Sequence, residues 1–276
     1  MGLADLHIHT TASDGRWTTG QIIRRAQEQH MSAIAITDHD TVAALQELPA
    51  LGACSPEVIP GIEFNTSQAG LEIHILGYFI DIGDHGLQKT LAALRAAREN
   101  RVKEMTKKLS KLGYALELSD IKNLAGTSKA LGRPHVAAAL IKKGYFSALF
   151  ETGLRQLLAK GGAAYVPHEK LSPAQAIETV LAAGGIPVVA HPGLIGDDTC
   201  LRSLVPQGLM GLEAYHPKHD KMTTNHYRQL ACNYGLIVTG GSDFHGIPGR
   251  YPEDLGQFGI PCRFIQYLNE RRRLRI

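Results

Sequence analysis

Thirteen histidines stand in this 276-residue sequence, and several fall beside Asp or Glu at short spacing, the side chains that bind divalent metal ions. In ADLHIHT, His7 and His9 are spaced i, i+2, so in an extended segment both leave the same face and can share an ion. Asp14 follows in the adjoining loop. The run TDHD supplies Asp38, His39 and Asp40, of which His39 is the expected ligand because neutral imidazole suits transition metals. Glu63 in PGIEF follows Gly61, which lets a carboxylate enter a crowded centre, and its two oxygens could bridge two ions. His74, His191 in AHP, and Asp243 with His245 in SDFH complete a set of nine. A single histidine on a strand is more often a hydrogen-bonded core residue than a ligand. Nine groups gathered together have no such reading, because unpaired buried His, Asp and Glu are costly without a metal or partner.

The elements that must gather them alternate. ADLHIH, SAIAITDH, EVIPGIEFN, EIHILGYFI, IPVVAHP, GLMGLEAY and LIVTGGSDFH read as about seven strands. Helical patterns lie between several of them, as in TTGQIIRRAQEQH, PAQAIETVLAAGG and NHYRQLACNYG. That rhythm predicts a parallel sheet with crossover helices, closed into a barrel, with ligands at the C-terminal ends of its strands. From Leu87 to Tyr165 helix follows helix with no strand, which predicts an inserted helical subdomain (87–165) between two barrel parts (1–86 and 166–276). Gly113 and Gly144 are its helix stops, and Pro134 marks a helix start.

Composition narrows the classes. With 44% apolar residues the chain can bury a large core. No apolar run is long enough to span a bilayer, and MGLADLHIHT enters a strand pattern without a signal region, so a cytoplasmic protein with no membrane partner is expected. Cys54, Cys200, Cys232 and Cys262 are far apart and read as reduced structural thiols. The net charge of +3 is small, and Arg271, Arg272, Arg273 and Arg275 form a basic tail that reads as a solvated terminus, with a nucleic-acid contact as the sharper alternative.

The motifs DLHIHT, TDHD, GIEF, AHP and SDFH, in this order, resemble the PHP (polymerase and histidinol phosphatase) domain. The resemblance implies an α/β fold, a distorted seven-stranded β/α barrel related to the TIM barrel, with up to three divalent metal ions and phosphoesterase activity. It allots His7, His9, Glu63 and Asp243 to one ion, Glu63, His74 and His191 to a second, and Asp14, His39 and His245 to the third. Many members carry His where this sequence has Asp14, which makes the third position richer in oxygen. Manganese heads the candidates, with zinc and iron(II) as alternatives. The helical insert is similar to that of stand-alone members acting on nucleoside 3',5'-bisphosphates or on the 5' end of RNA, whose Arg in an R-x-H segment grips phosphate; Arg133 and His135 match it. Histidinol phosphatases match less well.

The expected chemistry is hydrolysis of a nucleotide phosphate monoester by a metal-bound hydroxide, since coordination lowers the pKa of water from near 16 toward about 7. Asp14 or His245 is the candidate acid for the leaving alkoxide. Arg133, Arg101, His135, His168 and His219 are candidate substrate contacts, although Arg98 and Arg101 lie on a long charged helix whose default is a solvated face. Three activities follow: a phosphatase taking the 3'-phosphate from a nucleoside 3',5'-bisphosphate, an exoribonuclease releasing mononucleotides from the 5' end of short RNA, and a metal-binding module without catalysis. A small nucleotide or short RNA is the partner in the first two, and no obligatory protein partner is expected.

Overall fold

The computed structural model of the chain describes residues 2–51, 56–126, 128–146, 151–168 and 170–273. Cys54 and Arg275 lie outside them. The strands are β1 (Leu3–Ile8), β2 (Ala33–Ile36), β3 (Glu57–Gln68), β4 (Leu71–Tyr78), β5 (Ile186–Val189), β6 (Gly211–Tyr215), β7 (Ile237–Gly240) and β8 (Ile260–Pro261). The helices are α1 (Thr19–Glu28), α2 (Leu48–Leu51), α3 (His85–Lys111), α4 (Leu118–Ala125), α5 (Arg133–Lys142), α6 (Glu151–Leu158), α7 (Pro173–Ala182), α8 (Thr199–Leu204), α9 (Lys221–Asn233) and α10 (Arg263–Arg273). The chain divides into two units, one of residues Met1–Thr90 with Lys170–Ile276, the other Leu91–Glu169.

The first unit is a barrel-like sheet ordered β7-β6-β5-β4-β3-β2-β1-β8. The strands β1, β2 and β3 pair in parallel, as do β5, β6 and β7. Strands β2 and β5 are buried at every residue, as expected where one face lines the barrel and the other lies under helices. Ala4, Leu6, Ala35, Ile59, Leu76, Tyr78 and Val188 share one core, and Ile22, Ile23, Ile34 and Phe244 another.

Two expectations are corrected. Strand β4 runs antiparallel to both β3 and β5. The reason is local: only Ala69 (φ 51°) and Gly70 (φ 85°) separate β3 from β4, a two-residue hairpin turn too short for a crossover helix. Among the described residues the strand count is also eight rather than seven. The extra strand, β8, pairs antiparallel with the start of β1 at Leu3 and Ala4. Near its other end β1 meets Phe244, just beyond β7, through an Ile8–Phe244 bridge and the His9 N–H donating to Phe244 O (2.9 Å). The sheet therefore closes at the end where His7 and His9 stand and is splayed by β8 at the other.

The second unit is helical. Val102, Met105, Leu109, Ile121, Val136, Leu140, Leu154 and Leu158 form its core. Gly113 (φ 89°) follows the end of α3 and Gly144 (φ 79°) that of α5, both left-handed C-terminal stops.

Candidate metal centre

Six strands deliver the nine side chains to one end of the barrel. His7 is on β1 and His9 one residue beyond it; His39 follows β2 and bridges to Glu63 in β3. Glu63 sits mid-strand rather than at a strand end, because β3 continues to Gln68. A Cβ on Gly61 would stand 2.8 Å from Thr37 Cγ2 and 2.9 Å from Ile36 O, so this glycine lets β3 press against β2. His74 lies in the first half of β4; the reversed direction of that strand brings it to the same end, opposite Asn65. His191 (φ 29°) follows β5 and Asp243 (φ 50°) follows β7, both in left-handed backbone that a side chain adopts only when held there.

Glu63 is the hub, 1% exposed. Its Oε1 lies 2.8 Å from His74 Nδ1 and 3.1 Å from His191 Nε2. Its Oε2 lies 2.9 Å from His39 Nδ1, 3.3 Å from His9 Nε2 and 3.4 Å from His7 Nε2. Asp243 Oδ1 stands 3.3 Å from His9 Nε2 and 3.6 Å from His7 Nε2. Among the described residues three sets have donor atoms within 4.8 Å of one another: His7, His9 and Asp243; His39, Glu63 and His74; and His9, Asp14, His39 and His245. His245 donates from Nδ1 to Asp243 O (2.8 Å), which turns the Nε2 lone pair toward Asp14 Oδ1, 3.4 Å away.

These residues fit metal ions. His7 Nε2, both ring nitrogens of His9, His39 Nδ1 and Glu63 Oε2 are buried without a hydrogen-bond partner, even where, as for His39 Nδ1 and Glu63 Oε2, they stand at hydrogen-bond distance but are misaligned. Lone pairs of nitrogen and carboxylate oxygen crowded together out of water are costly unless a cation lies between them. Burial works against charge on Glu63, but the facing His39, His7 and His74 prevail and hold its carboxyl well below the usual range. Asp14 and Asp243 are likewise held down against burial, Asp14 by His39 and His245, Asp243 by His245, His216 and His9. His7, His9, His39 and His191 are pulled upward by the carboxylates despite burial, whereas burial pushes His74 down.

The PHP domain profile matches residues 5–160, more than half of the chain. The chain belongs to the PHP family. Its relatives include the phosphoribosyl 1,2-cyclic phosphate 1,2-diphosphodiesterase of Eggerthella lenta, 33% identical over 91% of this chain and 97% of that protein. The 3',5'-nucleoside bisphosphate phosphatase of Chromobacterium violaceum is 31% identical over 100% of this chain and 99% of that one. The 5'-3' exoribonuclease Rnm of Escherichia coli is 33% identical over 87% and 84%. Among solved structures, a Bifidobacterium adolescentis protein described as a metal-dependent phosphoesterase superposes with a TM-score of 0.83 at 28% identity, covering 97% of this chain and 96% of that one. This PHP protein is a metal-dependent phosphoesterase.

The candidate substrate contacts divide. His219 is corrected: its Nδ1 donates to Ala214 O (2.9 Å) and its Nε2 accepts the Gly193 N–H (3.1 Å), so neither ring nitrogen is left for a phosphate. Arg101, Arg133, His135 and His168 belong to the helical unit. Arg98 and Arg101 do not form a solvated face: Arg98 is buried, with Nη1 donating to Leu131 O (3.4 Å), and Arg101 Nε donates to Val166 O (2.9 Å). Arg133 is exposed at the first turn of α5, where His135 Nδ1 accepts the Gly132 N–H (3.2 Å). His168 is half-buried. In the basic tail, Arg271 donates to Gly235 O (2.8 Å) and Arg272 lies over the Phe79 ring. No helix among the described residues is long and apolar enough to cross a membrane.

Sequence reasoning gives no role to four buried residues around the PHP centre, three of them unnamed there and Asp38 passed over in favour of His39. Asp5 accepts the Ser242 N–H (2.9 Å) and the Gly256 N–H (2.8 Å), tying β1 to the turn that carries Asp243. Asp38 accepts the Thr10 N–H and hydroxyl, both at 2.7 Å, and the Ser13 hydroxyl at 2.5 Å. Glu213 stands 3.0 Å from His7 Nδ1. His216 accepts the Lys218 N–H at Nδ1 (3.1 Å) and points Nε2 at Asp243 Oδ2, 3.6 Å away. The signal for Asp5 and Glu213 is a carboxylate inside an otherwise apolar strand, which burial tolerates only with partners.

Proposed function

We propose that this protein removes the 3'-phosphate from nucleoside 3',5'-bisphosphates, using two or three divalent cations with manganese foremost. The observation that carries the reading is Glu63, whose two oxygens face different histidine groups, as a carboxylate shared between cations must. The choice of substrate is supported by the bisphosphate phosphatase of C. violaceum, matched over 99% of its length, and by a solved structure of a C. violaceum protein described as an amidohydrolase, of 0.83 TM-score and 28% identity, that holds sulfate, a phosphate-like anion.

His7, His9, Glu63 and Asp243 would hold one cation, Glu63 with His74 and His191 a second, and Asp14, His39 and His245 a third. Cations bound there would polarise the phosphoryl oxygens and supply an activated water. The chain's own part is to fix these donors at one end of the barrel, so that phosphate and water meet in line, and to keep the carboxylates ionised. Where two cations are held, Asp14 Oδ1 and His245 Nε2, 3.4 Å apart, share the proton that the departing alkoxide takes. Arg133, at the start of α5, is proposed to grip the substrate's second phosphate, supported by the R-x-H resemblance; Arg101, His135 and His168 are proposed as subsidiary contacts.

Manganese-loaded protein should be assayed on adenosine 3',5'-bisphosphate, a ribosyl 1,2-cyclic phosphate and a 5'-phosphorylated RNA oligomer, with Asp243→Ala as control. Phosphate released fastest from the bisphosphate, and lost in the variant, is the expected result. Preferred opening of the cyclic ester, or stepwise mononucleotide release, would replace this reading with that of a diesterase or an exoribonuclease.

A further inference from the structure

Strand β6 contributes none of the nine metal-ligand candidates, yet its one charged side chain is buried against two of them. Glu213 is fully buried at the centre of GLEAY. Its Oε1 stands 3.0 Å from His7 Nδ1, and its Oε2 accepts the His191 main-chain N–H at 2.8 Å. An ionised carboxylate is acceptor-only, so His7 must carry its proton on Nδ1 to bond with it. That leaves the Nε2 lone pair free, and it points at Glu63 Oε2 (3.4 Å) and Asp243 Oδ1 (3.6 Å), the place of a cation. The other oxygen acts on backbone: His191 has φ 29° and ψ 57°, and Glu213 holds its N–H in that strained turn while the His191 ring reaches Glu63 Oε1.

We propose that Glu213 is a positioning residue that sets the metal-binding tautomer of His7 and the backbone turn of His191, and so prepares two cation positions from one side chain. Donor hydrogens converge on it from both sides, and among side chains of its size only a carboxylate accepts from both. Glutamine cannot do so. Its amide must present NH₂ either to His7 Nδ1, which moves the ring proton to Nε2 and blocks ligation, or to the His191 N–H, which sets donor against donor.

The inference rests on the cluster binding metal, and the test separates the two. Metal-stripped full-length wild type is titrated calorimetrically with manganese; failure to bind would remove the metal reading itself. Glu213→Gln is then titrated alongside. Its expected affinity is about 10–100-fold weaker, the usual loss when the outer partner of a ligating histidine is removed. Wild-type affinity and stoichiometry in the variant would overturn the proposal. A second readout needs no variant: the ¹⁵N shifts of His7 in metal-free wild type, at a pH where the ring is neutral, should show the proton on Nδ1. A proton on Nε2 would overturn the proposal even if Glu213→Gln failed to fold.

Discussion

Asp38 shows how much of a metal centre is built by residues that touch no metal. It accepts three hydrogen bonds from Thr10 and Ser13, closing the loop that leads to Asp14. Asp38→Ala would leave those donors buried and unmet. A loss of about 1.5–3 kcal/mol is expected, read as a fall in Tm of roughly 3–12 °C for a unit of this size, with weakened binding at the cation position that uses Asp14. An unchanged Tm would mean that the loop holds itself. Arg133 makes a different prediction at the same scale. If it grips a substrate phosphate, Arg133→Ala should raise KM roughly 10–100-fold, as the loss of a charge-assisted bidentate contact does, with kcat changed far less. A fall in kcat at constant KM would place Arg133 elsewhere in the cycle.

Among the elements, β3 governs the centre because it carries the hub. Its approach to β2 depends on Gly61, where a Cβ would meet Thr37 and Ile36 inside normal contact distance. Gly61→Ala should cost about 1–3 kcal/mol by overpacking and should lower manganese affinity, since the shift falls two residues from Glu63. Full affinity in a destabilised variant would show that Glu63 is positioned by its histidines instead. The same strand marks what sequence could and could not tell. The i, i+2 pair His7/His9 and the motifs TDHD, AHP and SDFH were legible because strand periodicity puts such residues on one face or at one strand end. The reversal of β4 is not legible in the sequence, even with the Ala69–Gly70 turn, because the apolar runs on either side look alike in a parallel or an antiparallel sheet. Strand β8 has only two residues, too few for any period. Glu213 and His216 were hidden for another reason: their partners, His7, His191 and Asp243, are distant in sequence, and only the closed sheet brings them together.

For the whole molecule, all nine candidate ligands fall in the barrel unit and none in the helical one, so the pH response of stability should come from the barrel and reverse when metal is bound. Without metal, His7, His9, His39 and His191 have raised pKa values. The stability they contribute is complete below the unfolded value of ~6.5 and is lost as pH rises through their folded values. Glu63, Asp14 and Asp243 are depressed; their contribution is present above the ordinary carboxylate range near ~4 and is lost as pH falls through the folded values. For these seven groups the metal-free contribution is therefore greatest between roughly pH 4.5 and 6.5, while His74, pushed down by burial, opposes it below ~6.5. Manganese works the opposite way, because it needs deprotonated imidazoles, and its affinity climbs with pH. Since bound ligand stabilises by RT ln(1 + [L]/Kd), the gain in Tm at one fixed manganese concentration should widen from about pH 6 to about pH 8.5. Hydrogen exchange should place that gain in β1, β3 and β5 and leave α4 and α5 unchanged. A gain that stays constant or narrows with pH would mean that the histidines are not the groups the metal displaces protons from.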